Sequence, residues 1–135
     1  MEIRITGTEL LHDLYHVAKQ NGGMVKLVSN TEGIMPLYVE ISGSEILGLP
    51  ETLVIAHYKT VNGDSLCDPR MTFARINHKY IPVSWQNDFA GINKTILQWN
   101  DEKEDWLVAD PPALLTAINF FNTVWMDNIA SFYEF

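Results

Sequence analysis

Three groups of residues in this chain have the types and spacing for chemistry. The first is His12-Asp13-Leu14-Tyr15-His16, where two imidazoles four residues apart share one face of a helix, as helical metal ligation requires. The segment has the outline of a zincin helix but departs from it twice. Asp13 stands where a glutamate would serve as general base, one methylene short of a metal-bound water, and no third ligand follows at helical distance. The pair therefore reads as a solvated helix edge, and no metal or other cofactor is expected. The second group is His57, Asp64, Asp68, His78 and Asp88, carboxylates and imidazoles that could hold a divalent ion or exchange protons if their strand ends converged. The same types also serve backbone needs: Asp64 follows Asn62-Gly63, Asp68 precedes Pro69, and His78 falls at a hairpin tip. Cys67, beside Asp68, has no base in its sequence neighbourhood to activate it as a nucleophile. The third group is acidic and aromatic: Trp99, Asp101, Glu102, Glu104, Asp105 and Trp106, followed by an apolar tail ending Phe132-Tyr133-Glu134-Phe135. Indoles beside a carboxylate cluster suit a partner-binding face, with anchors at its centre and charge to steer a basic partner. The alternative is that the tryptophans and the tail are core and the acids a solvated turn.

The charge distribution favours the partner face. Of a formal net charge of −8, the last 35 residues hold seven acids against Lys103 alone. Such a surface repels phosphate backbones and attracts basic proteins, so direct binding of nucleic acid is not expected. One cysteine permits no intrachain disulfide and no thiolate zinc site, which fits a reducing cytoplasm. Met1–Thr6 lacks the pattern of a secretory signal, and no apolar run approaches the roughly 20 residues that span a bilayer, so no membrane association is expected.

The elements that must position these residues are punctuated clearly. Thr6-Gly7-Thr8-Glu9 reads as a helix start with a capping box, and Leu10, Leu11, Leu14, Val17 and Ala18 recur at helical spacing until Asn21-Gly22-Gly23. Residues 24–30 and 35–41 read as strands joined by an Asn30–Gly33 turn, and residues 43–50 as loop or a short helical turn. Residues 52–61, 70–77 and 80–85 read as three further strands, with turns at Asn62-Gly63-Asp64 and His78-Lys79. Residues 91–99 suit a strand or a helix start. Asp110 is a capping residue, Pro111 and Pro112 suit a first turn, and apolar residues from Leu114 to Ile129 follow at helical spacing. The expected fold is α+β in one domain over 1–135: an antiparallel sheet of about five strands flanked by an N-terminal helix and a long C-terminal helix.

The series His57-Tyr58, Asn62-Gly63-Asp64, Asp68-Pro69-Arg70-Met71-Thr72-Phe73, Pro82 and Gln86-Asn87-Asp88 with Gly91 resembles a small uncharacterised domain family of bacteria, phages and mobile elements. The shared pattern is a His-Tyr pair, an Asn-Gly-Asp turn, Asp-Pro-x-Met-x-Phe, a proline and Gln-x-Asp-x-x-Gly. It covers residues 52–91, under a third of the chain. The resemblance implies a mobile-element context and an accessory role rather than an activity, with His57, Asp64, Asp68, Met71 and Asp88 as a shared face.

The leading expectation is a small acidic, non-enzymatic protein that binds a host protein with a basic surface, for example an anti-CRISPR-like inhibitor occupying the nucleic-acid channel of a defence nuclease. Its partner-binding residues would be Trp99, Asp101, Glu102, Glu104, Asp105 and Trp106. The alternative is a metal-dependent hydrolase or nucleotide-processing enzyme using His57, Asp64, Asp68 and Asp88. A third reading is a regulatory subunit dimerising through its aromatic C-terminal helix, so monomer and homodimer both stay open.

Overall fold

In the computed structural model, which describes residues 7–43 and 50–135, an antiparallel meander forms the frame. Six strands run in sequence order: β1 (Met24–Leu27), β2 (Leu37–Ser42), β3 (Thr52–Val61), β4 (Asp64–Ile76), β5 (Lys79–Asn87) and β6 (Ile92–Thr95). A separate hairpin follows, β7 (Leu97–Asn100) with β8 (Asp105–Val108). Helix α1 (Thr8–Gln20) precedes the sheet. The C-terminal helix runs as α2 (Pro111–Phe120), a π-helical turn (Phe121–Trp125) and α3 (Met126–Phe132). The architecture is α+β, as the periodicities predict.

Alternation builds the core. Leu37 and Val39 on β2, Leu53 and Ile55 on β3, and Met71 and Phe73 on β4 are fully buried on one sheet face, because side chains two apart on a strand share a side. Leu11, Leu14 and Ala18 of α1 and Ala117, Phe121 and Ile129 of the C-terminal helix close over that face in one contiguous core. Each fully buried Leu, Ile or Phe contributes about 1.5–3 kcal/mol through its loss of water contact. The two helices also meet each other. A Cβ on Gly7, the residue that starts α1, would lie 2.9 Å from Phe121 Cε1 and 2.8 Å from Met126 Sδ, so the absence of a side chain allows that approach.

For residues 91–99 the strand alternative holds, as β6 and the start of β7. Several other local expectations need correction. Strand β4 begins at Asp64, so Asp64 and Asp68 lie in a strand and not in loop. The tight turn after β4 is Asn77-His78, both at positive φ as a two-residue hairpin of type I′ requires, and Lys79 already belongs to β5. Asn62-Gly63 makes the equivalent turn between β3 and β4. Strand β1 ends at Leu27, short of Asn30. At α1, Gly7 is the N-cap without a side-chain bond; Thr6 of the expected capping box, and most of the 43–50 segment, lie outside the described residues. Asp110 does cap α2, its Oδ1 accepting from the Ala113 amide at 3.1 Å.

The π turn follows from an apolar row of strict period four: Ala113, Ala117, Phe121, Trp125, Ile129 and Tyr133, all buried. In a regular α-helix each four-residue step overshoots a turn by roughly 40°. A turn closed by i→i+5 bonds absorbs one residue and keeps the second half of the row on the sheet side. None of the described helices is long and apolar enough to cross a membrane.

Candidate functional site

A bulge organises the polar centre. The β3–β4 register places Ala56 opposite Arg70 and Tyr58 opposite Cys67, so Asp68 and Pro69 together face His57 alone. Such a two-against-one step bends the strand and re-aims the side chains around it. His57 continues the inward row of Leu53 and Ile55, which brings it beneath the C-terminal helix.

There its ring is held at both nitrogens. Nδ1 lies 3.0 Å from the Pro36 carbonyl, which can only accept, so it carries the hydrogen. Nε2 accepts from Trp125 Nε1–H at 3.1 Å. The Tyr133 ring stacks beside it at 6.0 Å, and the Tyr133 hydroxyl donates to the Met35 carbonyl. Burial lowers the His57 pKa below its ordinary value, against the pull of the Pro36 carbonyl and the Asp68 carboxylate. The imidazole is a neutral strut between the sheet, the β1–β2 connection and the C-terminal helix. It has no free lone pair for a metal.

The Gln86-Asn87-Asp88 segment braces the same bulge from the other side. Asp88 Oδ2 accepts from the Cys67 amide at 2.7 Å, and its own amide donates to the Cys67 carbonyl at 3.0 Å. Gln86 Nε2 donates to Asp88 Oδ1 at 2.9 Å. The Gln86 amide and then the Cys67 N–H hold the Asp88 carboxyl below its ordinary value. Asn87 donates to Asp68 Oδ1 at 3.3 Å and accepts from the amides of Phe89 and Ala90. Cys67 is buried, and burial followed by the Asp88 charge pushes its thiol up, the opposite of an activated nucleophile.

His57, Asp68 and Asn87 line one side of an open cavity of about 340 Å³, and Phe120, Val124 and Asn128 line the other. Of the five residues of the supposed shared face, the fold brings together His57, Asp68 and, through Asn87, Asp88. Asp64 is the exposed first residue of β4, away from this centre, and Met71 is a fully buried core residue. His78 sits at the far end of β4, beside α1. Sequence reasoning missed Trp125, Tyr133 and Asn87 as members of this centre. The period-four row carries a signal for the first two; Asn87 has none beyond its place in the Gln-Asn-Asp run.

The chain's acidic group has a different setting. Strands β7 and β8 pair Trp99 with Trp106, whose rings meet edge to face at 5.4 Å. The four-residue tip between the strands is braced by the Asn100 side chain. Asn100 Oδ1 accepts from the Lys103 amide at 3.0 Å, and Glu104 takes φ 49°. Asp101, Glu102, Glu104 and Asp105 are all exposed, and no ion pair among the described residues neutralises them. The two indoles are half-buried, and together with Arg75 and Glu51 they line a second cavity of about 320 Å³.

Residues 8–131 match the family described as "Domain of unknown function (DUF6908)". The chain belongs to this family. The match spans α1 to α3, so it takes in the bulge centre and the acidic hairpin, both beyond and within the motif series of residues 52–91. No curated protein and no solved structure matches the chain.

Proposed function

We propose that this member of the DUF6908 family is a non-enzymatic binding protein whose β7–β8 hairpin docks on a basic surface of a partner protein. The observation that carries the reading is a contrast between the two polar centres. At the bulge, His57 and Asp88 spend their hydrogen-bonding capacity on the protein's own backbone and side chains. At the hairpin tip, four carboxylates stand exposed on a turn braced by Asn100, beside a tryptophan pair. Exposed charges steer encounter and select partners by sign, and half-buried indoles supply contact area at low entropic cost. A nucleic-acid-binding channel of a nuclease is a partner surface of this kind, and an inhibitor carried by a phage or mobile element against a host defence nuclease is the concrete version of the proposal.

The hydrolase reading needs His57, Asp64, Asp68 and Asp88 to converge on a metal or a substrate. Against it stand the doubly bonded His57 ring and the separate position of Asp64.

The test is affinity capture of the tagged protein from bacterial lysate, at low and high salt, beside the variant carrying D101K, E102K, E104K and D105K. One basic, nucleic-acid-binding protein captured stoichiometrically by the parent, and lost with the variant and at high salt, is the expected result. Capture of the same partner by the variant with undiminished strength overturns the acidic-hairpin mechanism.

A further inference from the structure

Outside both centres, three of the four histidines gather where α1 crosses the end of the β4–β5 hairpin. His12 Nε2 and His16 Nε2 lie 3.0 Å apart. His12 Nδ1 lies 3.4 Å from the Tyr80 hydroxyl, and the His78 ring is edge-on to His12 at 6.4 Å between centroids. The sheet thus supplies a partner for the rear nitrogen of His12, which the i, i+4 spacing alone does not reveal.

We propose that His12 and His16 bind one late first-row divalent transition-metal ion through their Nε2 atoms, with Tyr80 as the positioning group behind His12. Zinc bonds imidazole nitrogen at about 2.0–2.1 Å, so two nitrogens 3.0 Å apart subtend roughly 95° at a shared ion. Opening the pair by a few tenths of an ångström reaches the tetrahedral angle, a change within the reach of side-chain torsions on an exposed helix face. Both imidazoles bind in the tautomer with hydrogen on Nδ1. At His12 that hydrogen points to the Tyr80 oxygen, the outer contact that fixes ring orientation and raises ligand basicity in metal sites.

No set of three or more His, Cys, Asp or Glu side chains able to hold a metal occurs among the described residues, and His78 Nδ1 is taken by Arg75 at 3.2 Å. The remaining coordination positions belong to water, as in an open site. Imidazole donors favour zinc, nickel and copper over magnesium and calcium. The departures from the zincin pattern bear on hydrolysis, which needs a general base, and not on binding. A metal held this way also ties two successive turns of α1 together.

Zn²⁺ titration of the full chain at neutral pH, by calorimetry and by NMR of the imidazole nitrogens, tests the proposal. One ion per chain, with the Nε2 signals of His12 and His16 shifting together, is expected. His16→Ala, at an exposed position, lowers affinity at least tenfold with the fold intact by circular dichroism. His78→Ala changes it less than threefold, and Tyr80→Phe weakens it several-fold while leaving both ligands in place. The melting temperature rises with Zn²⁺ and returns on chelation, since an ion that binds only the folded chain stabilises it. Absence of saturable Zn²⁺ binding at millimolar concentration, or binding undiminished in His16→Ala, overturns the assignment.

Discussion

His57 illustrates how a residue with catalytic potential is spent on structure. Its Nδ1–H and Nε2 are both engaged, so His57→Gln leaves at least one of the Pro36 carbonyl and the Trp125 indole without a partner of matching geometry. An unsatisfied buried group costs about 1–3 kcal/mol, and urea denaturation of the variant should show a loss of that order. The same residue sets a pH response. Burial puts its folded pKa below the ordinary 6.5, so the unfolded chain takes up the proton first. Its contribution is therefore complete above pH 6.5 and is lost as pH falls through the lower folded value. Stability of the parent measured from pH 7 down to 5 should decline more steeply than that of His57→Gln. Asp88 braces the other side of the bulge as a carboxylate acceptor. Asp88→Ala removes the acceptor of the Cys67 amide, and hydrogen exchange at that amide should accelerate while core amides such as Ile55 keep their protection.

At the scale of elements, the C-terminal helix decides the geometry of the bulge centre, and its start is fixed by one side chain. Asp110 accepts from the Ala113 amide and Pro111 occupies a position with no amide to satisfy. Asp110→Ala should cost about 1 kcal/mol, read as a lower denaturation midpoint with an unchanged slope. The helix signal was legible in sequence from Asp110-Pro111-Pro112 and the apolar spacing beyond. The π turn was legible in principle from the period-four row, but only to a reading that compared four-residue steps with the 3.6-residue turn. The Asn62-Gly63 hairpin could be read from residue types alone, because positive φ at consecutive positions selects Asn and Gly. Asn77-His78 was harder to register, since histidine is an uncommon occupant of such a position. Residues 91–99 left strand and helix start both open because Asn93, Lys94 and Thr95 on β6 are exposed and show no inward and outward contrast.

For the whole molecule, the asymmetry of charge is the property on which the proposed docking rests. Reversing Asp101, Glu102, Glu104 and Asp105 to lysine would cancel the formal net charge of −8 while altering only exposed positions, so the fold should survive and association should not. If the proposed docking holds, the association rate of the parent with the captured basic protein should fall steeply as salt rises, because the Debye length shrinks from roughly 10 Å at 0.1 M to about 3 Å at 1 M. The variant should show little salt dependence. Equal salt sensitivity in parent and variant, measured by stopped-flow or surface plasmon resonance, would place the binding face elsewhere.

The α+β class, the antiparallel order, both flanking helices and the acidic cluster after Trp99 are all legible in residue order, because each depends on periodicity, turn chemistry or composition within a short window. Which groups the histidines and carboxylates meet depends on long-range packing. His57 lies 68 positions from Trp125 and 21 from Pro36, and Tyr80 lies 68 from His12. Pairings at such separations are set by how the sheet and helices pack, and a local pattern carries no record of them. Packing around the bulge at Asp68-Pro69 engaged His57 with Pro36 and Trp125, Asp68 with Asn87, and Asp88 with Cys67 and Gln86, while the β4–β5 hairpin set Tyr80 behind His12.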